Sequence, residues 1–338
     1  MGSLTRYVVT RIILTIPMVF ILLSIVFVVL RVMPGDPVSS MLGGHAPEKV
    51  IEKKREELGL NRPLAVQYLD YLWQICRLDL GESMVFKQRV TKAIAEKLPA
   101  TIELTLAGMA ITLFLGIFMG AYAADKRRTP QDNLIRLYGI VVFCIPVYWM
   151  GLMLQLIFGI WLDVLPIAGR TGPRVFASTF EKTGFYILDT ILVKDFSALG
   201  DVLLHLILPA FTLGIVLSGI FVRLTRANML DVLKADYILA AEARGIRHRT
   251  IIYRHALKNA FIPILTMIGL QVALLMAGAI LTETTFSWPG MGRLLLERIY
   301  LRDYPTLQGV IIVFALIVAT VSLVVDIIYA IVDPRIRY

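Results

Sequence analysis

Residues 223 to 261 read RLTRANMLDVLKADYILAAEARGIRHRTIIYRHALKNAF, a polar and basic stretch between two apolar runs, Leu203–Val222 and Ile262–Leu281. A connector of this length between two membrane crossings has no need of order. This one has the composition of two short helices with Gly245 between them, which points to a docking surface for a partner below the membrane. Ala240, Ala241, Ala243 and Gly245 are small enough to let one helix approach another protein closely, and Gly245 can take a positive φ and end the first short helix. The competing reading is an amphipathic pair resting on the bilayer.

Working outward from that segment, the 338 residues are 57% hydrophobic and 17% charged. Such values belong to a polytopic membrane protein. Six apolar stretches approach or exceed the ~20 residues that cross ~30 Å of hydrocarbon as a helix. They are Ile12–Leu30, Ala100–Ala124, Leu134–Trp161, Leu203–Val222, Ile262–Leu281 and Leu307–Val332. The first exceeds the ~7–15 apolar residues of a signal peptide, and Arg31-Val32-Met33-Pro34 replaces a small-residue cleavage site, so it reads as a signal anchor.

Six crossings with the N-terminus inside place the N-terminus, residues 125–133, residues 223–261 and the tail 333–338 in the cytoplasm. With Arg136 counted there, these segments hold 16 Lys+Arg against 6 Asp+Glu, and the rest of the chain is close to neutral. The positive-inside rule therefore accounts for the net charge of +9 without nucleic acid. The expected organisation is a cytoplasmic end and first span (1–31), an external lobe (32–98), a five-span membrane domain (99–332) and a cytoplasmic tail (333–338).

In the lobe, Glu48–Leu58 reads as a charged helix ended near Gly59. Asn61-Arg62-Pro63-Leu64 reads as a turn. A following helix, Ala65–Leu78, sets Val66, Leu69, Leu72 and Ile75 on one face, suited to the membrane surface or a partner. Leu162–Val202 is expected to be irregular. Phe286-Ser287-Trp288-Pro289-Gly290-Met291-Gly292 is expected to turn sharply at the interface, with a short helix, Leu294–Leu301, after it. Cys76 and Cys144 lie in the lobe and in the third span, too far apart in the topology for a disulfide.

Glu103, His205, Glu283 and Asp326 fall near span ends, where pairing or capping accounts for them. No chain of carboxylates crosses the membrane, and no internal repeat supports an inverted-repeat transporter acting alone. There is no Gly-x-x-x-x-Gly-Lys-Ser/Thr loop, so the chain is not expected to bind or hydrolyse ATP. His248 and His255 lack acidic neighbours at metal spacing, and no Gly-x-Ser-x-Gly elbow occurs. Neither a cofactor nor a catalytic residue is expected.

Several motifs then coincide in order. They are Met33-Pro34-Gly35-Asp36-Pro37, Leu58-Gly59-Leu60-Asn61-Arg62-Pro63, Asp79-Leu80-Gly81-Glu82-Ser83 and Leu98-Pro99-Ala100-Thr101-Ile102-Glu103-Leu104. They continue with Leu165-Pro166-Ile167-Ala168-Gly169-Arg170, Leu281-Thr282-Glu283-Thr284-Thr285-Phe286-Ser287-Trp288-Pro289-Gly290, Arg302-Asp303-Tyr304-Pro305 and Asp333-Pro334-Arg335-Ile336-Arg337. In this set the chain resembles the B-type permease subunits of dipeptide, oligopeptide and nickel ABC importers, most of all the dipeptide-permease branch.

The resemblance implies an all-α, six-span permease of the type I importer fold, paired with a homologous C-type permease. Two cytoplasmic ABC ATPases that bind ATP and Mg, and an extracytoplasmic solute-binding protein, would complete the assembly. The family's Glu-Ala-Ala-x-x-x-Gly signature corresponds to Leu239-Ala240-Ala241 and Gly245, with Leu at its first position. The expected ATPase-coupling residues are Asp236, Tyr237, Ala240, Ala241, Glu242, Ala243, Arg244, Gly245 and His255. Ser218, Asn228, Thr266, Gln271 and Met276 are the expected path positions, with Leu275 beside Met276 as a gate. Gly269 and Gly278 are expected to pack helices. Dipeptides, oligopeptides, nickel and oligosaccharides all remain open as solutes.

Overall fold

The computed structural model describes residues 2–32, 47–57, 59–173, 175 and 182–332. The Met33–Pro37 motif and the tail motif at 333–337 lie outside them. In chain order the helices are α1 (Gly2–Val32), α2 (Glu48–Glu57), α3 (Leu64–Cys76), α4 (Val90–Asp125), α5 (Pro130–Cys144) and α6 (Val147–Leu154), the last continued by a π-helical turn, Gln155–Trp161. Then come α7 (Tyr186–Val193), α8 (Phe196–Val232), α9 (Asp236–Ala243), α10 (His248–Thr285), α11 (Met291–Tyr300) and α12 (Tyr304–Val332). Five of these are long and apolar enough to cross a membrane, and six if α5 and α6 count as one bent crossing. The chain is an all-α polytopic membrane protein.

Three expectations change. Leu134–Trp161 is not a continuous helix: it turns by 104° between α5 and α6. Pro146 is the cause, since its ring and missing N–H prevent helix continuation through the preceding turn. The stretch expected to be irregular after Leu162 contains α7 and the start of α8. α4 begins at Val90, so it runs through the expected boundary between lobe and membrane domain.

α8 is the central helix, and α4 packs along it. Gly108 meets Leu213, Gly116 meets Phe221 and Gly120 meets Thr225, a constant offset that makes the two helices parallel and in register. Small residues spaced four apart on α4 let the backbones approach, and the Thr112 hydroxyl donates to the Gly214 carbonyl at 3.2 Å. α5 runs antiparallel on another side of α8. Gly139 there lies against the Gly219 carbonyl, and the Tyr138 and Ser218 hydroxyls bond at 2.7 Å.

α1 stands to one side, held by α12 and α3 through Leu23, Val26, Phe27, Tyr71 and Ile312. The buried face of α3 is therefore Tyr68, Tyr71, Leu72 and Ile75, and Val66, Leu69 and Trp73 point outward. Gly59 (φ +66°) ends the preceding segment as expected.

At the end of the bundle that carries the lobe, motifs far apart in sequence meet. Glu283 accepts from the Thr101 hydroxyl (2.6 Å) and from the Arg293 amide (2.9 Å), capping the start of α11, and the Trp288 indole donates to the Ala100 carbonyl at 2.9 Å. Arg170 pairs with buried Glu103 at 2.5 Å and stacks over Tyr186. His205 binds the Asp201 carbonyl at 2.8 Å, and toward the other end of the bundle Asp326 on α12 pairs with Arg11 on α1 at 3.4 Å. The four ionisable residues flagged near span ends are thus all engaged structurally.

Asp303, fully buried, accepts from the Ser83 hydroxyl (2.6 Å), the Met84 amide (3.1 Å) and the Thr306 hydroxyl (2.7 Å). It pins the lobe to the start of α12. Asp303→Ala leaves these donors without their acceptor and removes the carboxylate that stands 4.0 Å from the Arg298 guanidinium. The expected outcome is a destabilisation of about 3–5 kcal/mol, read as faster proteolysis of the lobe in the detergent-solubilised protein.

Candidate functional site

At the opposite end of the bundle, segment 223–261 is a compact unit fused to two crossings. α8 continues to Val232, ten residues past the expected end of its span. A tight turn leads into α9, and α10 starts at His248, passes through a π-helical turn (Ile251–Ala256) and runs unbroken to Thr285. The two expected short helices are therefore one free helix, α9, and the first turns of a crossing.

α9 ends by backbone geometry. Gly245 has φ +73°, its amide donates to the Glu242 carbonyl at 2.9 Å, and the Ile246 amide donates to the Ala241 carbonyl at 3.2 Å. This is a Schellman closure, which requires a left-handed residue at the glycine position. A Cβ at Gly245 would meet nothing within 4 Å, so here glycine serves the dihedral angle and not a close approach.

One apolar cluster holds the unit together: Met229 from α8, Ile238 and Ala241 from α9, Ile251, Ile252, Ala256 and Ala260 from α10, and Ala121 and Ala124 from α4. Ala241 therefore faces the unit's own core, 8% exposed. Asp236, Tyr237, Ala240, Glu242, Ala243, Arg244 and Gly245 lie on the outer surface, and His255 is half-buried. Asn259 donates to the Tyr237 hydroxyl at 2.8 Å, clamping α9 to α10.

Two anchors that the sequence alone did not reveal tie this unit to the neighbouring turn. Arg226 makes a two-pronged pair with Asp132 (2.6 and 2.7 Å), and His248 bonds Asp125. The Asp132 carboxylate also accepts from the Arg128 amide at 3.1 Å. Only separations of 94 and 123 residues connect these partners, which no local pattern records. Bidentate arginine–carboxylate geometry fixes orientation as well as distance. Arg226→Ala and Asp132→Ala are expected to be strongly non-additive in thermal stability, with a coupling of about 1–3 kcal/mol in a double-mutant cycle.

The expected path positions fall differently. Ser218, Gln271 and Met276 are buried among the chain's own helices, as is Leu275, and Asn228 is half-buried. Thr266 alone of the set is exposed. Gly269 lies against Val325 and Gly278 against Leu213, as expected of packing glycines. Cys76 and Cys144 are both free thiols.

Residues 96–338 match a family described as binding-protein-dependent transport system inner membrane component, and residues 4–105 match its N-terminal companion. The chain is 40% identical over 332 residues to the dipeptide transport system permease protein of Alkalihalophilus pseudofirmus, covering 98% of this chain and 99% of that one. It is 39% identical to the di/tripeptide transport system permease protein of Pseudomonas aeruginosa, covering 98% of each chain. The glutathione transport system permease protein of Pectobacterium atrosepticum is 35% identical, over 98% of this chain and 99% of its own. With both parts of the family pattern matched from residue 4 to residue 338, the chain belongs to the inner-membrane permease components of binding-protein-dependent transport systems, a non-catalytic subunit.

Proposed function

We propose that this chain is one of two permease halves of an ATP-driven importer for dipeptides and short oligopeptides. Its termini and segment 223–261 face the cytoplasm, where two ABC ATPases grip the outer surface of α9. The second half is a homologous C-type permease, and an extracytoplasmic solute-binding protein delivers the peptide. Peptide cargo is favoured over nickel or oligosaccharide because the relatives carry names of dipeptide, di/tripeptide and glutathione systems. The orientation rests on the excess of Lys and Arg in the segments assigned to the cytoplasm.

The observation that carries the reading is the construction of the 223–261 unit. Its short helix is locked by a core and a clamp to α8 and α10, which run on as crossings and are themselves tied to the neighbouring turn through Arg226–Asp132 and His248–Asp125. Force applied to Asp236, Tyr237, Ala240, Glu242, Ala243 or Arg244 is transmitted as rigid-body rotation of α8 and α10. A floppy connector would dissipate it. The test is reconstitution with the cognate ATPases, permease and binding protein, following labelled dipeptide and crosslinking from Arg244→Cys. ATP-dependent uptake with capture of an ATPase by position 244 is the expected result. Uptake without ATP, or capture only by reagents on the external side, sinks it.

A further inference from the structure

α5 and α6 form one apolar run in the sequence, yet the chain turns by 104° between them. The depth of this turn follows from its neighbours. Asp132 pairs with Arg226 at the end of the bundle that carries segment 223–261. Cys144 lies twelve residues further on, about 18 Å along the helix axis, well within the ~30 Å of hydrocarbon. Beyond the turn, Gly151 packs against Thr212 in the interior of α8 and against Thr285 and Phe286 at the lobe-side end of α10, so the break lies below that end. The break therefore sits inside the bilayer and not at its surface.

Such a break opens backbone polar groups. Pro146 has no N–H to offer the Val142 carbonyl. After the break the first backbone bond runs from the Met150 amide to the Pro146 carbonyl at 3.0 Å, and no side chain caps α6. The amides of Val147, Tyr148 and Trp149 have no bonding partner among the described residues. The chain does not cover the site either: Cys144 and Pro146 are exposed, and Phe143, Tyr148 and Trp149 are about half exposed.

Lipid tails offer nothing to these groups, so an open break at this depth is tolerated only against protein or water. A partner helix has already closed its own backbone bonds and can answer only with polar side chains. Water can answer every open group at once. We infer that the α5–α6 break lines the water-filled translocation path, with Cys144, Tyr148 and Trp149 on its wall. This rests on the permease reading above, and it moves the path wall away from Ser218, Gln271 and Met276.

The chain carries its own probe. Cys76→Ser, in the lobe, leaves Cys144 as this chain's single thiol. In the reconstituted transporter, a charged, membrane-impermeant methanethiosulfonate and a lipophilic maleimide are compared without nucleotide and with ATP, and the adduct on this chain is read by mass spectrometry. The charged reagent is expected to modify Cys144. Its rate should differ about tenfold or more between the two states, as when a minor conformer of a few per cent becomes the major one.

Modification by the maleimide alone in both states places the break against lipid and overturns the inference. Modification by neither places it under the partner permease and overturns it equally. Uptake in the same vesicles separates the two readings. Transport with an unreachable Cys144 defeats only this inference, and a reachable Cys144 without ATP-driven uptake defeats the importer assignment.

Discussion

Ala241→Glu is expected to abolish ATP-driven uptake while the chain still inserts and pairs with its partner. Ala241 packs among Met229, Ile251, Ile252 and Ala256, so a carboxylate placed there would be buried among aliphatic side chains. An uncompensated buried charge costs about 3–5 kcal/mol. An eight-residue helix has little resistance to offer, since isolated helices below ~12–15 residues are marginal in water. α9 should detach from α8 and α10, whose crossings are held by separate packing. ATP hydrolysis by the ATPases would then continue or fall without moving solute.

The comparison that makes this specific is Ala240→Glu. Ala240 is a neighbour on the same helix but exposed, so its carboxylate stays in water and α9 stays folded. Limited proteolysis should cut the segment in Ala241→Glu and spare it in Ala240→Glu. Any uptake defect in the latter then reports the contact with the partner. Unchanged uptake in Ala241→Glu would show that the apolar cluster is not what transmits the motion.

The crossings were legible from the sequence because each is a long apolar run, and the bilayer demands little else of a helix. The broken third crossing was not, because hydropathy is blind to direction: Ile145-Pro146 is as apolar as its flanks, and only the missing N–H at Pro146 betrays the turn. In segment 223–261, composition revealed a helix closed at Gly245 but not which face of α9 turns inward. With Ala at 240, 241 and 243, nothing in the side chains distinguishes the sides. The partners that decide it, Ile251, Ile252 and Ala124, come from elsewhere in the chain.

The ordered motifs behaved in the opposite way. Each is weak as a string, yet Thr101 meets Glu283, Glu103 meets Arg170 and Ser83 meets Asp303. Strings far apart in the sequence are here halves of the same contacts at the lobe end of the bundle. The expected path residues show the same dependence on distant partners. A polar residue within a crossing suggests lining, yet Ser218 is bonded to Tyr138 and Gln271 lies within the chain's own packing.

Gly116→Leu is expected to prevent accumulation of folded chain altogether. A Cβ at Gly116 would lie 2.2 Å from the Phe221 Cβ and 3.3 Å from the Phe221 backbone. No rotamer change relieves that overlap, because both atoms belong to the rigid part of α8. The two helices must separate, and separating them opens the contacts at Gly108, Thr112 and Gly120 as well, since one register sets them all. Overpacking of a single methyl in a close-packed site costs about 1–3 kcal/mol, so Gly116→Ala should already lower the thermal stability of the detergent-solubilised protein.

Gly139→Ala provides the counterweight, because its new Cβ would stand 3.4 Å from the Gly219 carbonyl, near ordinary contact distance. The expected order of stability is wild type and Gly139→Ala together, then Gly116→Ala, with Gly116→Leu not recovered. Fluorescence-detected size exclusion after heating reads that order directly. Recovery of Gly116→Leu at wild-type yield would mean that α4 and α8 do not pack at this distance in the membrane. The shared register that carries the bundle from the lobe to segment 223–261 would then be wrong.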